Sequence, residues 1–121
     1  MGAWFQLYNF TRRERVGAHL AASKPREFIW NTGPGAVVLW YLFSHRGDKI
    51  AFVSDYDCDE KREFFNEVVT RKLLESFTDK TEETIAAAIA AELIEDHGFT
   101  WRDEQEPDQY FIRDVRIRNP H

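Results

Sequence analysis

Apolar positions change their rhythm along the chain, and those changes mark the elements. Trp4 to Phe10 is short and aromatic-rich, which favours a first strand, and Asn9-Phe10-Thr11 followed by charges reads as its exit. Arg26 to Trp30 after Pro25 fits a short helix, and Asn31-Thr32-Gly33-Pro34-Gly35 signals a reversal. The unbroken run Ala36 to Phe43 suits a buried helix or a buried strand. Helix is favoured, because Pro34 suits a first helical turn and Gly47 can end the helix in a left-handed conformation. Lys49 to Ser54 then reads as a central strand.

Further on, Phe65, Val68, Val69, Leu73 and Ser76 recur at helical spacing and predict an amphipathic helix beginning near Glu60. A second helix is expected from Thr81, with Glu82 and Glu83 at the positive end of its dipole. Its stripe is Ile85, Ile89, Leu93 with Ala86, Ala90 and Ile94, and Gly98 stands as its terminal cap. His97 would lie in its last turn, where a cation favours the dipole. After an acidic turn around Pro107, Val115-Arg116-Ile117-Arg118 alternates at strand period. The expected fold class is α+β: a small mixed sheet with helices packed on one face, residues 1–121 forming a single domain.

Composition narrows the function. With 43% hydrophobic and 31% charged residues, the chain reads as a soluble folded domain that needs no metal or disulfide to be stable, so no cofactor is expected. The apolar run at 36–43 is far shorter than the roughly 20 residues that span a bilayer. One cysteine, Cys58, and no leader-like opening point to the cytoplasm. A net charge of −5 argues against general nucleic-acid binding. Two basic groups, Arg12, Arg13, Arg15 and Arg113, Arg116, Arg118, would merge if the chain ends shared one sheet. Eighteen aromatics are a large apolar load for this length and point to a protein partner or homo-oligomer, with Trp4, Trp40 and Trp101 as candidate anchors.

The candidate chemistry is at Asp55, Asp57 and Asp59, where a hydrophobic strand ends in alternating carboxylates. Such a group can hold Mg2+ or Mn2+ for phosphoryl transfer or hydrolysis, with His45 as a helper. It superficially resembles the aspartate motif of haloacid-dehalogenase-like phosphotransferases and the aspartate pair of some glycosyltransferases, although Cys58 stands where the first pattern wants Thr or Val. An EF-hand fails, since Glu60 replaces its glycine and Asn66 its final glutamate. The structural alternative is that Asp57 or Asp59 caps the helix near Glu60, with Glu60 completing a capping box. Cys58 between aspartates is a poor nucleophile. A third reading is an acidic mimic of nucleic acid that inhibits another protein's binding site.

Two blocks, Tyr8-Asn9-Phe10-Thr11-Arg12-Arg13-Glu14 and Gly47-Asp48-Lys49-Ile50-Ala51-Phe52-Val53-Ser54-Asp55-Tyr56, resemble those of a group of small uncharacterised bacterial and fungal proteins. Their openings read Val-Asn-His-Thr-Lys-Lys-Glu, and their middles read Trp-Ala-Gly-Asp-Lys or Arg-Ile, then Val-Gly-Asp-Tyr. Phe10 replaces the usual His here, and Ser44-His45-Arg46 replaces the Trp-containing approach to Gly47. The resemblance implies a shape and no activity. The expected function is therefore a protein-interaction or regulatory module.

Overall fold

The computed structural model describes residues 5–20, 27–29 and 32–118, and it is α+β. Strands β1 (Phe5–Asn9), β2 (Glu14–Val16), β3 (Ile50–Ser54) and β6 (Thr78–Asp79) form a mixed sheet in the order β3-β1-β2-β6. The first two pairings are antiparallel and β2-β6 is parallel. Strand β3, expected at the centre, is an edge among the described residues: its partner there is β1, and Phe52 is partly exposed. Trp4 lies outside the described residues, as do Arg26 and Trp30 of the expected short helix.

Side-chain alternation along β1 divides the interior in two. Leu7, with Val16 on the neighbouring strand, meets Val37, Val38 and Tyr41 of helix α1 (Gly33–Ser44) and Ile85 and Ala88 of helix α4 (Thr81–Ala90). Tyr8 and Val53 face the other way, packing with Phe10, Val69, Leu74 and Phe77. The two long helices thus share one face of the sheet. The other is covered by α3 (Arg71–Glu75) and a hairpin of β4 (Glu63–Phe64) and β5 (Glu67–Val68).

The run at 36–43 is helical. Thr32 caps α1, its hydroxyl accepting from the Gly35 amide at 3.0 Å, and Pro34 sits in the first turn. Gly47 is left-handed in the turn after the helix has ended at Ser44. Gly33 lies against the backbone of Val115, so α1 starts in close contact with strand β8 (Phe111–Ile117).

Two expected helical stretches are otherwise. Residues 60–76 do not form one amphipathic helix: Phe65 and Asn66 are both left-handed, the geometry of a two-residue hairpin turn, and the chain reverses there. Phe65 accepts this unfavourable conformation while its ring meets Phe10 at 5.3 Å. Helix recurs only after Thr70, whose hydroxyl accepts from the Leu73 amide. Helix α4 stops at Ala90, where Glu92 turns left-handed and the Leu93 amide returns to the Ala88 carbonyl. Ile94 already belongs to β7 (Ile94–Arg102), which pairs with β8 in a two-stranded ribbon. Gly98 therefore serves a register shift between Asp96 and Phe99, and His97 caps no helix; it is exposed and faces Glu95 at 3.2 Å. The two arginine groups sit on different sheets: Arg12, Arg13 and Arg15 around the β1–β2 turn, Arg113, Arg116 and Arg118 on or beside β8.

Candidate functional site

Three arrangements hold most of the residues singled out in the sequence. The first is the aspartate segment. Asp55 to Asp59 form the short helix α2, which starts at the exit of β3, and its cap is Ser54 instead of an aspartate. Asp57 lies inside the helix and accepts from the Ser54 amide at 2.9 Å and its hydroxyl at 3.3 Å. This is a capping box set earlier than the one expected at Glu60. Asp57 also faces Arg62 at 3.3 Å, while Asp59 pairs with Arg71. Among the described residues no three His, Cys, Asp or Glu side chains converge as a metal would require. Burial pushes the Cys58 thiol up, and the neighbouring aspartates add to this against Arg71. Asp57→Ala is expected to cost about 1 kcal/mol, equally in EDTA and in Mg2+, as read by urea denaturation.

The second is a polar network joining β1 to the end of α1. Asn9 is fully buried and uses its whole amide. Its Nδ2 donates to Tyr41 Oη at 3.1 Å and to Asp48 Oδ2 at 2.8 Å, and its Oδ1 accepts from the amides of Thr11 and Arg12. Arg12 Nε reaches the same Asp48 oxygen at 2.8 Å. The Lys49 amide donates to Thr11 Oγ1, so the two sequence blocks at 8–14 and 47–56 are stitched together. Tyr41 Oη donates to Glu14 Oε1 at 2.9 Å; burial and then this carboxylate keep the phenol protonated well beyond its usual range. His45 stacks on Tyr41, and its Nε2 lies 3.9 Å from Glu14 Oε1.

Hydrogen bonds from Asn9 and Arg12 hold the Asp48 carboxyl below its ordinary value of 3.8. A lowered native value means that the stabilisation is complete above the unfolded value and is lost as pH falls through the native one. Unfolding free energy should therefore drop on acidification below about pH 4, and Asp48→Asn should flatten that part of the profile.

The third is apolar. Ala36, Leu39, Trp40 and Phe43 on α1 face Leu93 and Ile117 at the ends of the ribbon, enclosing a groove of about 410 Å3 with Glu92 and Arg118 at its rim. Leu39, Leu93 and Ile117 are partly exposed and Phe43 is 70% exposed. Of the candidate anchors only Trp40 lies here; the other lining residues are spread over α1, the segment after α4 and the end of β8 and share no local motif. Trp101 is exposed near the far end of β7 and does not line this groove, and Trp4 lies outside the described residues.

No family model, curated protein or solved structure matches the chain. Among the described residues, no helix is long and apolar enough to cross a membrane.

Proposed function

We propose that the protein is an interaction module that seats a short amphipathic helix of another protein in the groove between α1 and the ribbon. The observation that carries this is the composition of α1. From Gly33 to Ser44 it has no charged side chain, so it is apolar all round, and such helices are ordinarily covered on every side. Its sheet side is covered through Val37, Val38 and Tyr41, whereas Leu39 and Phe43 are open.

The geometry favours one occupant. Positions 36, 39, 40 and 43 follow helical spacing over about 10 Å, two turns of helix. That matches the apolar stripe of a docked helix, whose anchors recur at three- and four-residue spacing.

The test is selection of helical peptides by display against the protein, followed by titration into Phe43→Asp. Because Phe43 is mostly exposed, the variant should unfold within about 0.5 kcal/mol of the parent. It should nevertheless lose peptide affinity by about tenfold or more, since a buried aromatic anchor becomes a desolvated charge. Selected helices that bind Phe43→Asp as well as the parent, or self-association through this face in sedimentation, would count against the proposal.

A further inference from the structure

A second cavity, of about 180 Å3, opens on the other side of Trp40 between α1 and α4, lined by Glu14, Tyr41, His45, Lys80, Glu83 and Ala87 among others. Its polar groups are largely committed. Ser44 donates to the Trp40 carbonyl and Thr84 to the Lys80 carbonyl. Lys80 spans both oxygens of Glu83 at 3.2 and 3.3 Å, so their charges cancel. Tyr41 Oη accepts from Asn9 and donates to Glu14. Glu14 remains: among the described residues its carboxylate makes no ion pair with lysine or arginine, although its side chain is only 20% exposed.

The histidine beside it adds a second acceptor. His45 Nδ1 lies 2.9 Å from the Tyr41 carbonyl, which can only accept, so this nitrogen carries the proton. In that tautomer the other ring nitrogen, Nε2, is the acceptor, and it stands 3.9 Å from Glu14 Oε1. Two acceptors side by side, one of them charged, against the aromatic walls of Trp40 and Tyr41, are complementary to a cation with several N–H donors.

We infer that this cavity is a binding site for a primary ammonium on a short aliphatic chain, with Glu14 and His45 Nε2 accepting its N–H groups. At about 30 Å3 per water-sized group, the volume has room for a chain of about four carbons and its nitrogen. The ammonium has two chemical sources, a free alkylamine or the lysine side chain of another polypeptide. The inference does not depend on the groove reading.

The experiment is an NMR titration of the whole protein, reading His45, Tyr41 and Ala87, with n-butylammonium chloride, Nα-acetyl-lysine N-methylamide, n-butanol and sodium chloride. Saturable shifts with n-butylammonium, absent with n-butanol and sodium chloride, support the site. Glu14→Gln keeps an acceptor for Tyr41 and so preserves the fold, and it should weaken binding about tenfold or more, the worth of a charge-assisted hydrogen bond. Ala87→Phe, at an exposed position on α4, should block the cavity without touching Glu14. Binding of the lysine derivative at least as tight as n-butylammonium assigns the source to a polypeptide; its exclusion assigns it to a free amine. Shifts no larger than those with sodium chloride, equal binding of n-butanol, or full binding in Glu14→Gln overturns the inference.

Discussion

Asn9→Ala should lower the unfolding free energy by about 3 kcal/mol, because a fully buried side chain leaves several hydrogen-bonding partners unsatisfied. The side chain is small, so the loss comes from its partners. The amides of Thr11 and Arg12 lose their acceptor, and Tyr41 Oη and Asp48 lose a donor, all at a point where β1 leaves the sheet. Asn9→Asp separates these contributions. It keeps the acceptor for the two amides but sets a second carboxylate where Nδ2 now lies 2.8 Å from Asp48. Two carboxylates at that distance cannot both ionise freely, so one is raised above its unfolded value. Its penalty is then present at neutral pH and is relieved as pH falls. On acidification from neutral Asn9→Asp should gain stability while the Asp48 contribution in the parent stays level until about pH 4 and then falls, which urea titrations across that range would register. Parallel profiles would mean that Asn9 does not hold Asp48.

Gly33→Ala should cost about 3 kcal/mol, at the upper end of overpacking penalties. An added Cβ would run into the Val115 carbonyl, with the Arg116 amide nitrogen close behind at 2.9 Å. Both are backbone, so neither can swing aside, and the start of α1 must retreat from β8. Gly47→Ala is the informative comparison: its Cβ would meet nothing within 4 Å, but its φ is +91°. The cost there is conformational only, about 1 kcal/mol. Guanidinium denaturation of both variants checks the ranking, and equal midpoints would place the α1–β8 contact in doubt. The same contact fixes the groove, because it sets α1 against the strand that carries Ile117.

Local signals carried part of this fold. Thr32, Pro34 and the charge-free run after them define α1; the aromatic strand at the start and the alternation at Val115 to Ile117 also appear where expected. Between 60 and 76 the periodicity misled, because Phe65, Val68, Val69 and Leu73 happen to fall at helical spacing while serving a hairpin, a loop and a short helix. Thr70, a cap residue in the middle of that pattern, was the available warning. Gly98 misled differently: a left-handed glycine fits a β-bulge as well as a helix end, and only the pairing of β7 with β8 decides between them. For the candidate sites, a capping box was legible in type, but its cap is Ser54 and Asp57 is its partner inside the helix, because the helix starts at Asp55. The Asn9–Tyr41–Glu14–His45 network and the groove were not, since their members meet across separations of 27 to 39 residues or from three separate elements. The charge-free run of α1 and Trp40 within it were the sequence signals for the groove.

The most direct test of the docking surface is a benzophenone amino acid at position 43, irradiated in the cell that makes the protein, with the adduct sequenced by mass spectrometry. Docking of a helix predicts a crosslink to one segment of another protein whose apolar residues recur at three- and four-residue spacing. A synthetic peptide of that segment should bind the parent and fail with Phe43→Asp. Crosslinks confined to a second copy of this chain, or to segments that bind Phe43→Asp equally well, would contradict it.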